Sequence, residues 1–255
     1  MREIHFIAGF CSVALIASAA PAVAQGFDVS GLPALSSAQG EDGATTYSLS
    51  LQILALMTAL TLLPSLVLGM SSFTRIIIVL SILRQALGTQ QTPPNQVLIA
   101  IALFLSLFIM QPTLTQIYDS ALSPFLSETI SADAAIAEAS RVMKDFMVAN
   151  TRRDTLLMFS DMAGTTAYES NADIPFSTLL PAFITSELKT AFQIGFLIFL
   201  PFLVVDMVIA SILMSLGMMM LSPMLVSLPF KLLLFVLVDG WAMTVGSLAA
   251  TFSTP

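Results

Sequence analysis

The sequence predicts an all-α membrane or assembly protein, and three observations carry that reading. Of 255 residues, 56% are hydrophobic and only 10% charged, with a mean hydropathy of +0.91; a soluble domain carries about 25% charged residues. The apolar residues gather into four long segments. Most of the net charge of −7 comes from one central stretch. The expected order is a cleaved signal peptide (1–24), a flexible exported tail (25–47), a first helical hairpin (48–118), an acidic α-helical periplasmic insert (119–180) and a second helical hairpin (181–255). An acidic balance of this size argues against a nucleic-acid partner, which would want a basic face.

The N-terminus reads as a secretory signal. Arg2 gives a weakly basic start, Phe6–Ala20 is the apolar core, and Ala22-Val23-Ala24 is an A-x-A site with cleavage between Ala24 and Gln25. The apolar run is short for a membrane span. The single cysteine, Cys11, and the single histidine, His5, lie in this peptide. The cleaved chain would have no thiol and no imidazole, which excludes disulfides, zinc, c-type haem and His- or Cys-based catalysis. No cofactor is expected.

The first apolar segment, Leu49–Met70, contains Pro64, which should kink it. It leads into residues 71–88, where Ser71 or Ser72 can cap a helix and Gly88 can end it. "TQQTPPNQ", residues 89–96, is a polar turn, and the second apolar segment is Val97–Ile117. The insert carries nine acids against four bases. Within it, Ile136, Ala139, Met143, Phe146 and Met147 recur at helical spacing, so Ala132–Asn150 should be amphipathic, with a second short helix over Thr151–Met162. The third and fourth segments, roughly Phe183–Leu216 and Met224–Ala250, are joined by a short linker and should form an antiparallel hairpin. If the signal peptide exports residue 25, Arg75 and Arg84 fall on the inner side, as the positive-inside rule prefers, and the acidic insert falls outside. Arg75 and Arg84 then read as topology or interface residues.

Asp206, Lys231 and Asp239 interrupt apolar helices. A lone charge at a helix centre costs about 2.5–3.5 kcal/mol on insertion scales, so each wants a partner or water. Asp206 and Lys231 lie at equal distances on either side of the hairpin midpoint and so at the same depth. Glu187 is 19 residues above Asp206, roughly 28 Å at 1.5 Å per residue, too far to meet Lys231 within one straight hairpin. Two pairings follow for Lys231: Asp206 within the chain, or Glu187 of a displaced neighbouring subunit, the second being preferred.

The linker itself, "SLGMMMLSPMLVSLPFK", places Met218, Met219 and Met220 between Gly217 and Pro223. Three consecutive residues cannot all face one core. Taken alone, the run is either filler for an irregular gap or a soft, deformable plug.

Three stretches carry a resemblance: "SSFTRIIIVLSILRQALGTQQTPPNQVLIAIALFLSLFIMQP" (71–112), "PAFITSELKTAFQIG" (181–195) and "IFLPFLVVDMVIASILMSLGMMMLSPMLVSLPFKLLLFVLVDGW" (198–241). In this order they resemble the FliP family of flagellar export-gate proteins. The resemblance implies a core subunit of the flagellar type III secretion export gate, in the cell inner membrane and the flagellum basal body. Family members form a homo-pentamer joined by FliQ and FliR, around a conduit for unfolded flagellar cargo, among other export and basal-body proteins. It implies further that much of the chain is raised out of the bilayer plane in the assembly, so the four apolar segments are assembly helices as much as spans. It makes Met218–Met220 a gasket that seals the closed channel, with Gly217 and Pro223 as hinges bounding the loop.

A small-molecule secondary transporter is the alternative. Such folds show internal repeats and broken helices about a midplane site, and the two halves here differ. An enzyme is not expected, because Asp206 and Asp239 fall at different depths and no phosphate-binding loop is present.

Overall fold

The computed structural model describes residues 35–39, 45–49, 51–89, 91–165, 168, 170–218 and 220–252. The expected signal peptide, the Ala24–Gln25 cleavage site and Met219 lie outside the described residues. The chain divides into two units between Thr61 and Leu62.

The first unit holds an antiparallel hairpin of β1 (Leu35–Gln39) and β2 (Thr45–Leu49), with Ser37 opposite Tyr47, and the first turns of α1 (Leu51–Gly69). The expected flexible tail therefore contains strands. Thr45-Thr46-Tyr47 is a β-branched and aromatic run that favours extended backbone, which a composition argument based on Gly, Ser and Ala overlooks.

The second unit is helical. α1 runs through Pro64 as one helix and breaks instead at Met70–Ser72, where it meets α2 (Phe73–Ala86) at a bend of 68°. Neither serine caps α2 by bonding to its second or third backbone N–H. The Ser71 hydroxyl accepts from Phe73 N at 3.2 Å, and the Ser72 hydroxyl donates to Ser106 at 3.0 Å across to α3. α2 is the centre of the unit: Ile76, Val79, Leu80 and Leu83 repeat at helical spacing and are buried between α3 (Asn95–Ile117) and α7 (Phe176–Ser215). Gly88, at φ 78°, ends it.

α3 buries Leu98, Ala102, Ile109 and Met110 while leaving Phe104 and Phe108 exposed. It does not stop at the expected border of the insert. A π-turn at Tyr118–Leu122 and α4 (Ser123–Leu126) extend it to one 32-residue helix ending at Leu126. The insert then folds as α5 (Ala132–Asn150), capped by the Ser131 hydroxyl accepting from Ala134 N, and α6 (Arg153–Met162). Val142, Phe146 and Met147 are buried, but Ile136, two turns before Met143 on the same stripe, is exposed.

α7 has 40 residues, about 60 Å at 1.5 Å per residue. It starts seven residues before the apolar segment that predicts it, because Thr178, Leu179 and Ala182 are already buried. The α7 backbone comes close to α2 at Gly195, where an added Cβ would overlap the Ile82 side chain. α7 and α8 (Pro223–Leu237) form the hairpin. The fourth apolar segment is not one helix. It breaks at Asp239, φ 49°, and continues as α9 (Gly240–Ala250) at a bend of 63°. The cause is local: Gly240 lies against the Phe235 ring, leaving no room for a Cβ, and Trp241 meets that ring edge-on at 5.5 Å. Asp239 is thus exposed at a corner and does not interrupt a buried helix. Among the described residues, Asn95–Leu126 and Phe176–Ser215 are each long and apolar enough to cross a membrane, and the two bent pairs qualify when each is taken together.

Candidate functional site: the methionine loop and its charged supports

The loop between α7 and α8 is shaped by three backbone features. Met218 N donates to the Leu213 carbonyl at 2.9 Å and Gly217 N to the Met214 carbonyl at 3.0 Å, with Gly217 at φ 74°. This is a Schellman ending, which a left-handed glycine permits without steric cost. At the other side Pro223 is the first residue of α8, where its missing N–H is not needed. Gly217 and Pro223 thereby limit the break to residues 216–222. Between them Met220 is fully exposed and Met218 and Leu221 are about half exposed, as is Leu216 just before Gly217. The loop presents an apolar tip with no cover from its own chain among the described residues.

Behind the tip the hairpin is fastened by a forked carboxylate. Lys231 Nζ lies 2.6 Å from Asp206 Oδ2 and donates to the Ala86 carbonyl at 3.1 Å, at the C-terminal end of α2, where helix carbonyls lack partners. Ser227, one turn before Lys231, donates to the other Asp206 oxygen. The Lys231 side chain is 3% exposed, so a missing partner would leave a buried charge uncompensated.

Glu187 is occupied elsewhere. It is fully buried and takes both oxygens to Arg75, from Nε at 2.9 Å and from Nη2 in a second short bond. Arg75 Nη1 donates to the Thr251 carbonyl at 2.9 Å and hydroxyl at 3.0 Å, and the guanidinium sits 3.8 Å from the Phe252 ring centroid. Of the two pairings expected for Lys231, the chain makes the one with its own Asp206, while both Glu187 oxygens are taken by Arg75 and so are not free for the preferred one. Arg75 is a buried hub joining α2, α7 and the residues after α9. Arg84 bonds to the Asn95 side chain at 2.6 Å and the Pro93 carbonyl at 3.2 Å, bracing the turn between α2 and α3.

Sequence reasoning missed two further supports. Ser227 carries no charge and is one serine among many. Arg152 joins the insert to α7: its backbone N donates to Ser186 at 2.9 Å, Nε to Thr190 at 3.1 Å and Nη2 to Gln193. Those three acceptors share one helical face, and the polar stripe Ser186–Thr190–Gln193 was the available signal. Among the described residues no group of His, Cys, Asp and Glu is arranged to hold a metal ion.

A model of the FliP family matches residues 56–248, which include the loop, the forked carboxylate and the Arg75–Glu187 pair. The chain belongs to the FliP family. It is 75% identical over 222 residues to the flagellar biosynthetic protein FliP of Cereibacter sphaeroides, covering 87% of this chain and 73% of that one. It is 51% identical to the protein of the same name from Pectobacterium carotovorum, covering 87% and 86%, and 53% identical to that of Bacillus subtilis, covering 80% and 93%. As a FliP-family chain with membrane-length apolar helices, it is a membrane-associated component of the flagellar export apparatus, in association with other proteins of that apparatus, and it is not an enzyme. Thr251 and Phe252, which receive Arg75, lie beyond the segment matched to FliP.

Proposed function

We propose that this chain is a core subunit of the flagellar type III secretion export gate, in which copies of the chain surround a protein-conducting pore and the loop around Met218, Met219 and Met220 seals it. The subunit would act as a homo-pentamer with FliQ and FliR, in the cell inner membrane and the flagellum basal body, with the acidic insert on the periplasmic side. Its cargo would be unfolded flagellar protein.

The observation that carries this reading is the apolar tip on a braced hairpin. Met218, Met220 and Leu221 are exposed in the single chain, while Asp206, Ser227 and Lys231 hold the two arms that present them. Loops of this kind converging from several copies would form a hydrophobic constriction, which gates by excluding water. Methionine suits both states. It is unbranched and polarizable, so it packs against itself when closed and repacks around varied cargo when open. A polar tip would stay wet and leak ions.

The exposed apolar surface of α3 and α7, including Phe104, Phe108, Phe192 and Phe196, supports burial of these helices against bilayer or subunits. Co-expression with candidate FliQ and FliR proteins tests the assembly. A closed particle of defined stoichiometry containing all three is expected, and a chain that purifies alone from the same cells contradicts it.

A further inference from the structure

The methionines of the chain differ in what covers them. Met110 and Met147 are buried in the helical core. Met207, Met214 and Met243 are exposed, but they lie on apolar helix faces of the kind that bilayer or subunits cover. Met220 stands on a loop and is fully exposed, and Met218 on the same loop is about half exposed. Met219 lies between them in sequence.

The shape of the loop does not depend on these side chains. Met218 N bonds to the Leu213 carbonyl, Gly217 N bonds to the Met214 carbonyl, and Pro223 opens α8. The base of the hairpin is held by Asp206, Ser227 and Lys231. A change of chemistry at the methionine sulfurs would therefore alter the polarity of the tip and leave its backbone and its supports in place.

We propose that Met218, Met219 and Met220 form an oxidation-sensitive site, at which a peroxide converts the seal from apolar to polar and opens the closed gate to ions. This rests on the sealing role proposed above. A thioether needs no deprotonation to react, so access to the oxidant governs its rate. Hydrogen peroxide transfers one oxygen atom to the sulfur: the O–O bond breaks, a sulfur lone pair forms the S–O bond, and the other oxygen leaves as water. The sulfur is oxidised and the peroxide is reduced. The product, methionine sulfoxide, is polar where the thioether was apolar and only a weak acceptor. A constriction that gates by excluding water fails when its lining binds water, and the change is repeated in every copy. The reaction is reversible by methionine sulfoxide reductases, so the seal can be restored without new synthesis.

The test uses membrane vesicles holding the full chain co-expressed with candidate FliQ and FliR proteins and treated with hydrogen peroxide. Peptide mass mapping follows the gain of one oxygen at each methionine, and ion leak is recorded in the same vesicles. The loop methionines should oxidise about tenfold faster than Met110 and Met147. Leak should rise with the extent of loop oxidation and fall again after treatment with the two sulfoxide reductases. Met218→Leu, Met219→Leu and Met220→Leu in one chain should abolish the peroxide-induced rise, whereas Met162→Leu, which removes the exposed methionine of the insert, should leave it intact. Loop oxidation no faster than that of Met147, an oxidised loop without leak, or an equal rise in the triple-Leu chain would each overturn the proposal. The triple-Ala chain separates this inference from the sealing role. If it leaks without peroxide while the oxidised natural chain does not, the seal stands and the oxidation site fails. If neither leaks, both fail.

Discussion

Lys231 Nζ is within hydrogen-bonding distance of both Asp206 and the Ala86 carbonyl, so one buried ammonium fastens the two arms of the loop-bearing hairpin to the C-terminal end of α2. The tip of the hairpin is exposed while its base is held by a buried charge. Separating the arms at the base would strand that charge.

The pair should behave as a unit. Lys231→Met leaves Asp206 with Ser227 alone, and Asp206→Asn leaves Lys231 buried against a carbonyl. Breaking a buried pair costs about 3–5 kcal/mol; Asp206 is 29% exposed, which lowers the expectation to about 2–3 kcal/mol. The double variant Asp206→Asn with Lys231→Met should recover most of that loss. Thermal unfolding in detergent, read as a double-mutant cycle, measures it. Additive losses would mean that the two residues act independently.

Arg75 should not tolerate its usual replacement. Arg75→Lys keeps the charge but loses the forked contact with Glu187 and the reach to Thr251. A loss of about 2–4 kcal/mol is expected, with faster hydrogen exchange over residues 248–252, whereas Arg84→Lys at the half-exposed turn should cost less than about 1 kcal/mol. Equal losses at the two positions would contradict the hub described for Arg75.

How much of this was legible beforehand differs by residue. The α5 bounds followed from a 3.6-residue period, which short-range sequence records directly. The depth match of Asp206 and Lys231 follows from counting along a hairpin, but the second partner of Lys231, the Ala86 carbonyl, does not, because it lies 145 residues away in the chain. Nothing near Arg75 in the chain signals Glu187, 112 residues away, or Thr251, 176 residues away. The break at Asp239 depends on how Gly240 packs against Phe235, and hydropathy averages over it. The strands at 35–49 were hidden by composition, and the extension of α3 to Leu126 by the polar residues that cover its last turns.

The close approach of α2 and α7 predicts a strict size limit at residue 195. Gly195→Ala would drive a methyl group into Ile82, and overpacking of this kind costs about 1–3 kcal/mol. Adding Ile82→Ala should restore part of the loss by clearing the space. If Gly195→Ala alone is neutral, the two helices are less tightly apposed than described.

The insert should weaken in acid. Hydrogen bonding to Arg141 holds the Glu138 carboxyl below its ordinary 4.5, and Lys189 holds Asp154 below its ordinary 3.8. Both folded values are depressed, so their contribution is complete above the ordinary carboxylate range and is lost as pH falls through the lower folded values. Both side chains reach solvent, Glu138 at 31% and Asp154 at 62% exposure, so the effect is small and fades with salt. Protease sensitivity of the insert should rise below about pH 4 at low ionic strength, and Arg141→Met should flatten that rise. An insert equally protected at pH 3 and pH 7 would contradict this.

The sealing role of the loop is tested most directly by measuring ion leak and assembly together in cells carrying Met218→Ala, Met219→Ala and Met220→Ala in one chain. The exposed tip lies outside the packed core, so complex formation with its partners should proceed at normal yield. Each alanine removes the thioether, and the loss is repeated in every copy, so the closed gate should pass ions and the cells should become salt-sensitive. Three leucines in the same positions should keep leakage low and slow export. Normal assembly with unchanged leak and unchanged export would place the seal elsewhere, and failure to assemble would make the methionines packing residues.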